Sequence, residues 1–164
     1  MRLLYEDLPS ATGQVLGISR GFTLRQPDIN AFADLTQDHQ WIHVDPVLAA
    51  KSSFGGTIAH GYLTLALVAP VISELFVVPD APYAINYGLN RVRFPSPMPS
   101  GAEVRGGATV VEVEPMEGCT QVVIRVEMRI ADVPKPVCVA DSVLRFFKPG
   151  ASSPHDVRTH PAYH

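Results

Sequence analysis

The chain has 164 residues, of which 46% are hydrophobic and 18% charged, as in an ordinary soluble globular protein of one domain. Its net charge of −3 gives no basic field that would attract nucleic acid or an anionic membrane. The two cysteines, Cys119 and Cys138, lack any CxxC or Cys/His spacing, so we expect neither a disulfide framework nor a zinc site. Acidic Glu6 and Asp7 lie where a signal peptide would be apolar, which favours a cytoplasmic protein.

The first half of the chain predicts one strand and two helices. Residues 14–24 are typical of a strand, and Pro27 then suits the first turn of a helix, where its missing N–H costs nothing. The segment 37–57 has no regular period, although one helical turn is expected after Asp45. Residues 58–75 are apolar nearly all round, which predicts a buried helix that Pro70 should kink or end.

The second half of the chain changes to the two-residue period of strands. Residues 122–130 alternate apolar and charged side chains, and 103–113 and 137–147 also predict strands. In 84–94 the alternation slips by one residue, which a β-bulge near Asn90 would explain. Turn signals at 95–101 and 114–118 predict short loops between neighbouring strands, and hence an antiparallel meander.

Together these elements predict an α+β fold in which an antiparallel β-sheet wraps around a long central apolar α-helix. One small sheet cannot cover a helix that is apolar on every side, so we expect a homodimer. We assign residues 1–147 to this single domain. The polar, proline-containing segment 148–164 is expected to be a flexible tail.

Groups that could carry chemistry are concentrated between the two predicted helices. Loops held on a rigid scaffold commonly carry catalytic side chains. A carboxylate and an imidazole suit proton transfer, because burial and mutual contact can tune the pKa of each towards neutrality. The region contains three of the six histidines and three aspartates: His39, His43, His60, Asp34, Asp38 and Asp45.

The same region carries a family resemblance. The motif Leu35-Thr36-x-Asp38-x-x-x-x-His43, followed by Ala59-His60-Gly61-Tyr62, resembles the MaoC-like, (R)-specific enoyl-CoA hydratases. The stretch Asn-Tyr-Gly-Leu-Asn-Arg-Val-Arg-Phe-Pro at 86–95 also resembles this family, especially its single-domain NodN-like bacterial members. The resemblance covers roughly residues 14–147 and implies the hotdog fold. Gln40 and Trp41 depart from it, since the family usually has Asn and Pro there.

What the resemblance implies is a hydratase that adds water reversibly to trans-2-enoyl-CoA and yields (R)-3-hydroxyacyl-CoA. Asp38 and His43 would hold the water and transfer its proton. The N–H of Gly61 would stabilise the thioester oxyanion, and Gln40 and His60 are further candidates for the substrate site. No metal or other cofactor is implied, because CoA is part of the acyl-CoA substrate.

Each of these residues also has a purely structural interpretation. Asp38 could cap a turn, His43 could be a buried structural histidine, His60 could orient the loop, and Gly61 could serve close helix packing. For the whole chain, the alternatives are a hotdog acyl-CoA thioesterase and a non-catalytic acyl-thioester-binding protein. Hotdog thioesterases usually place their carboxylate on the central helix, where this chain has no acid before Glu74.

Overall fold

A six-stranded antiparallel sheet is the frame of the computed structural model, which describes residues 1–150. The sheet order is β1-β4-β5-β6-β3, and the short β2 also pairs with β4. Long β4, β5 and β6 pair in succession and form the centre of the sheet. The strands are β1 (Val15–Ile18), β2 (Phe22–Thr23), β3 (Ala84–Arg93), β4 (Glu103–Met116), β5 (Cys119–Ile130) and β6 (Cys138–Phe147).

Five helices lie between β2 and β3 in the chain, and a 3-10 helix at Tyr5–Ala11 precedes β1. None of the helices in residues 1–150 has the length and hydropathy that a membrane span requires. The predicted tail lies, from residue 151 onward, outside the described residues, and the assignment of residues 1–147 to one domain stays a prediction. The helices are α1 (Gln26–Thr36), α2 (Trp41–Val44), α3 (Pro46–Ala50), α4 (Gly61–Ala66) and α5 (Val68–Leu75).

The predicted central apolar helix is present as α4 and α5, which meet at Leu67. Pro70 has no N–H to donate to the carbonyl of Ala66, and in a regular helix its ring would clash with that carbonyl. The interruption that Pro70 was predicted to cause therefore falls about one turn before it. The helix also starts later than predicted, at Gly61, because residues 58–60 form a separate segment in which Ile58 bridges to Pro99.

Helix α5 packs on the inner face of the sheet, which confirms the predicted α+β arrangement. Its Val71 is fully buried in a core that includes Val122, Ile124 and Val126 of β5. The helix approaches β4 closely at Gly106, since a Cβ there would lie 2.6–2.7 Å from the methyl groups of Val71. This contact fixes the distance between helix and sheet.

Two predictions about the strands were wrong in detail. The predicted strand 14–24 is two short strands, interrupted at Ser19, whose hydroxyl accepts a hydrogen bond from the N–H of Gly106. The segment 95–101 does not connect neighbours, because β3 pairs with β6 at the opposite edge from β1. Alternation predicts that a strand exists but carries little information about its partner.

Two other predictions about the strands are confirmed. The register of β3 against β6 shifts between Leu89 and Arg91, where the bulge near Asn90 was expected, and a second shift lies between Asn86 and Gly88. The connection from β4 to β5 is a tight turn in which Gly118 has a φ of 78°. A positive φ favours glycine at this position.

The packing of α5 on β4 gives a test with a built-in control. We expect Gly106→Ala to lower the free energy of unfolding by about 1–3 kcal/mol, because the added methyl group overlaps Val71 and crowds Met128. At Gly107, one residue away, an added Cβ would have no atom within 4 Å. Gly107→Ala should therefore change the free energy of unfolding by less than about 0.5 kcal/mol. Urea titration of both variants measures the difference, and equal effects would contradict this helix placement.

Candidate active site

The segment before α4 holds two of the predicted site residues in place. The N–H of Ile58 donates to the carbonyl of Ile42 (3.0 Å), and the carbonyl of Ile58 accepts from Nδ1 of His43 (2.7 Å). Two residues later, Nε2 of His60 donates to the main-chain carbonyl of Asp38 (2.9 Å). A carbonyl can only accept, so the hydrogens lie on Nδ1 of His43 and Nε2 of His60. One short segment therefore orients both imidazoles.

His43 lies on α2, and the residue is 7% exposed. Because Nδ1 carries the hydrogen bonded to Ile58, Nε2 of the neutral ring has a free lone pair. Burial lowers the pKa of His43 below its ordinary value of 6.5, and the neighbouring His60 lowers it further. The bond to Ile58 and the nearby carboxylate of Asp38 act in the opposite direction. A neutral His43 can accept a proton at Nε2.

Asp38 follows the end of α1, where Gln37 turns the chain in a left-handed conformation with a φ of 62°. The Asp38 side chain is exposed, and its carboxylate accepts no hydrogen bond from the residues that the structure describes. By contrast, the carboxylates of Asp28 and Asp45 accept backbone N–H groups at the starts of α1 and α3. The capping interpretation thus suits those two aspartates rather than Asp38, which is free to bind a ligand or water.

Asp38, His43 and His60 lie together. A carboxylate oxygen of Asp38 and one ring nitrogen of each histidine are all within 4.8 Å of one another. The two imidazoles stack with centroids 3.8 Å apart and 28° between their planes. Since a metal ion lies in the plane of each imidazole that binds it, lone pairs of nearly parallel stacked rings do not converge on one ion. The arrangement fits proton transfer better than a metal centre.

Gly61 and His43 border the same cavity, which has a volume of about 260 Å³. Gly61 is the first residue of α4, and its N–H donates to no acceptor within residues 1–150. A Cβ at this position would lie 3.1 Å from the ring of Phe94, so the glycine also serves close packing. The cavity is lined by His43, Ile58, Ala59, Gly61, Thr64, Phe94, Ser96, Pro97, Met98 and Val137.

The chain belongs to the MaoC like domain family, whose model matches residues 7–133. It is 45% identical over 141 residues to 3-hydroxyacyl-thioester dehydratase Z of Mycobacterium tuberculosis, covering 85% of this chain and 93% of that protein. It is 44% identical over 126 residues to nodulation protein N of Rhizobium leguminosarum, covering 76% and 78%. The structure of the MaoC-like dehydratase from Rhodospirillum rubrum matches with a TM-score of 0.72 and 26% identity, covering 89% of this chain and 97% of that one. The family resemblance and the hotdog fold are confirmed.

Within this MaoC-like site, Gln40 and His60 do not line the cavity. Gln40 is exposed and immediately precedes α2, and its side chain makes no hydrogen bond to a described residue. His60 is 2% exposed and lies behind His43, against the ring of Phe32. His43 and Gly61 line the cavity, whereas Asp38 does not line it but has a carboxylate oxygen within 4.8 Å of a His43 ring nitrogen. Gln40 lies at the surface.

Two residues that hold His43 in place, Gln26 and Thr57, were not predicted from the sequence. Nε2 of Gln26 donates to the carbonyl of His43 (2.7 Å), and Oε1 of Gln26 accepts from the hydroxyl of Thr57. These bonds join α1, α2 and the segment before α4. No spacing relates residues 26, 43 and 57, and α2 itself was not predicted, although the helical turn after Asp45 is confirmed as α3.

A larger groove of about 1100 Å³ lies over β1, β4 and β5, and His43 does not border it. Its three arginines are each paired with a carboxylate: Arg105 with Glu103, Arg125 with Asp141 and Arg129 with Glu127. No histidine lines the groove, whereas His43, with its free Nε2, lines the smaller cavity. Size alone therefore does not identify the candidate active site.

The buried imidazole of His43 should make the stability of the fold depend on pH. The folded-state pKa of His43 lies below 6.5, so as the pH falls below about 6.5 the unfolded chain takes up a proton before the folded one does. The free energy of unfolding should therefore fall on acidification, by up to about 1.4 kcal/mol per pH unit from this residue. Below the folded-state pKa this contribution levels off.

The measurement is urea titration of the wild type and of His43→Gln at several pH values between 7.5 and 5. The readout is the difference between the two proteins in the slope of the free energy of unfolding against pH. His39→Gln is the matched control, because His39 is exposed and pairs with Asp34 on the surface. The wild type should lose stability more steeply than His43→Gln in this range. A slope no steeper than that of the variant would show that His43 is not held neutral by burial.

Proposed function

We propose that the chain is a MaoC-family hydratase that adds water reversibly to trans-2-enoyl-CoA and yields (R)-3-hydroxyacyl-CoA. Family membership and the name of the dehydratase from Mycobacterium tuberculosis support a hydratase/dehydratase reaction. The observation that carries the proposal is the free Nε2 of His43, close to the unpaired carboxylate of Asp38 and beside the cavity that Gly61 borders. The CoA carrier and the (R) configuration rest on the resemblance.

In this proposal a water molecule binds between Asp38 and His43. Nε2 of His43 accepts one water proton while the oxygen attacks C3 of the substrate, and the electron pair of the double bond moves towards the thioester oxygen. The negative charge of Asp38 stabilises the imidazolium that forms, in line with its effect on the pKa of His43. The imidazolium then returns the proton to C2, so that H and OH of one water are added. Dehydration follows the reverse path.

The N–H of Gly61 is the proposed donor to the thioester oxygen, which gains negative charge as the enolate forms. Because α4 has only six residues, the hydrogen bond matters more than the helix dipole. Loss of one such donor costs about 3–4 kcal/mol in well-studied acyl-transfer sites. The proposed reaction requires no metal or redox cofactor, since CoA is part of the substrate, and its location in the cytoplasm stays a prediction.

A hotdog thioesterase is the main alternative, and the position of Glu74 argues against it. Glu74 is the first acid on α4 or α5, near the end of α5. Its carboxylate accepts a hydrogen bond from the N–H of Arg20 (2.7 Å) and pairs with the Arg20 guanidinium. It is therefore engaged in a contact with the segment between β1 and β2. A non-catalytic acyl-thioester binder would bind the same ligands without consuming them.

Turnover of trans-2-butenoyl-CoA tests the proposal directly, followed as loss of the absorbance of the conjugated thioester. We expect Asp38→Asn and His43→Gln each to lower kcat by about 10²- to 10⁴-fold, because the first removes the charge that stabilises the imidazolium and the second removes the proton acceptor. His39→Gln should retain the wild-type rate, since it is the exposed histidine of the same loop. Chiral chromatography of the product, with authentic standards, identifies the enantiomer.

Three outcomes would reject this assignment. Release of a free thiol, detected with a thiol-reactive dye, would show a thioesterase. A rise in melting temperature with every enoyl-CoA and no turnover at any chain length would show a binder. Full activity in both Asp38→Asn and His43→Gln would remove the proposed acid/base pair.

We also propose that two copies of the chain form a homodimer through β3 and α4. Within the described residues β3 pairs only with β6, so its other edge leaves backbone N–H and C=O groups unpaired. Almost the whole strand is exposed on both faces, and so is Tyr62 of α4, at 73%. Pairing with β3 of a second copy would extend the sheet and cover the apolar side chains Tyr62, Ile85 and Leu89.

Analytical ultracentrifugation tests this interface. The wild type should sediment with twice the mass of the chain, and Leu89→Lys should shift the equilibrium to monomer, because it places a charge in the apolar contact. Val15→Lys is the matched control, since Val15 is equally apolar and 73% exposed but lies on β1 at the opposite edge of the sheet. A monomeric wild type, or a dimer broken by Val15→Lys alone, would contradict the proposed interface.

A further inference from the structure

His60 contacts both members of the proposed acid/base pair, yet it does not reach the cavity. Its side chain is almost fully buried and is absent from the cavity lining. Nε2 of His60 donates to the main-chain carbonyl of Asp38 (2.9 Å), and the His60 ring stacks on that of His43 with centroids 3.8 Å apart. This arrangement separates His60 from the substrate but links it to both residues that the reaction requires.

We propose that His60 is a positioning residue that fixes Asp38 and His43 relative to each other through one buried imidazole. This inference rests on the proposed function and deepens it. Of the two roles that the sequence left open for His60, substrate contact and orientation of the loop, it favours and extends the second. The residue acts through two contacts with different physics: a hydrogen bond that fixes the main chain at Asp38, and ring stacking that limits rotation of His43.

His60 is itself held in place through its main chain and its ring. The main-chain carbonyl of His60 accepts hydrogen bonds from both the N–H (3.0 Å) and the hydroxyl (3.2 Å) of Thr64, which anchors the residue to the first turn of α4. The ring of Phe32 on α1 lies 5.0 Å away, centroid to centroid, at an angle of 55°. Because α1 and α2 contact the imidazole and α4 binds the main-chain carbonyl of the same residue, the position of His60 relative to the proposed acid/base pair is fixed by three helices.

Packing alone does not account for an imidazole at this position. Nδ1 of His60 is buried and has no hydrogen-bond partner among the described residues. An unpartnered buried polar atom is unfavourable, and a phenylalanine would fill a similar space without one. The features that phenylalanine would not supply are the Nε2–H donor to Asp38 and the electrostatic influence on His43.

That influence has a predictable sign. The titratable groups that act on His43 are His60 and Asp38, and the carbonyl of Ile58 accepts its Nδ1–H. His60 lowers the pKa of His43, whereas Asp38 raises it. Removing the His60 imidazole should therefore raise the pKa of His43. The acid limb of the profile of kcat/KM against pH should then move to higher pH.

Two substitutions separate the two contacts. His60→Phe keeps a flat ring against His43 and loses the donor to Asp38, and His60→Gln keeps an amide donor and loses the stacked ring. We expect kcat of His60→Phe to fall about 10- to 100-fold while KM changes less than about threefold, because the pair is misplaced but the substrate contacts remain. His60→Gln should have a higher kcat than His60→Phe, because it keeps a donor to Asp38. Its acid limb in the profile of kcat/KM against pH should lie at higher pH than that of the wild type. His39→Gln serves as the control and should match the wild type.

The possible results decide the proposal. Wild-type kcat and an unchanged acid limb in both variants would overturn it, and so would a rise in KM with kcat unchanged, which indicates substrate contact. If the wild type hydrates no enoyl thioester, the proposed function fails separately. An NMR titration of the His43 ring in wild type and His60→Gln then decides the positioning role. A raised pKa of His43 supports the positioning role, and an unchanged pKa overturns it. Should His60→Phe fail to fold, the same titration of His60→Gln is the deciding measurement.

Discussion

The hydrogen bond from Nδ1 of His43 to the carbonyl of Ile58 is the interaction on which the rest of the site depends. It sets the tautomer, so that the free lone pair lies on Nε2, and it orients the ring. Ile58 is tied in turn to Ile42 by its N–H and to Pro99 by a β-bridge. The proposed catalytic imidazole is thus oriented by main-chain groups rather than by flexible side chains. Main-chain groups move little, which is what a proton acceptor in a defined position needs.

The same segment connects the site to the core. Residues 58–60 lead directly into α4 and then α5, and α5 lies on the sheet where Gly106 of β4 allows Val71 to approach. A glycine in a central strand has no packing value of its own, so its use here is to bring the helix close. Gly61 at the start of α4 is positioned locally as well, by the bridge from Ile58 to Pro99 and by the ring of Phe94.

The sequence predicted what depends on local period and missed what depends on long-range partners. Alternation predicted β5 and β6, and the apolar run predicted α4 and α5 with their interruption near Pro70. The partner of β3 was wrong, because alternation is the same whichever strand lies alongside. The family resemblance supplied Asp38 and His43, which the fold brings close together. Gln26 and Thr57 could not be found, since their bonds to each other and to His43 join residues 26, 43 and 57 with no pattern between them.

A base at this site must satisfy two opposing requirements, and the structure meets them with different neighbours. Burial and His60 lower the pKa of His43, which keeps the ring neutral and ready to accept a proton. Asp38 acts in the opposite direction, so in the proposed reaction a carboxylate stabilises the imidazolium. Asp38 can have this role because it is exposed and keeps its hydration, whereas a buried, unpaired carboxylate would be costly. The proposed roles follow from burial: the histidine is desolvated, and the aspartate remains exposed to solvent.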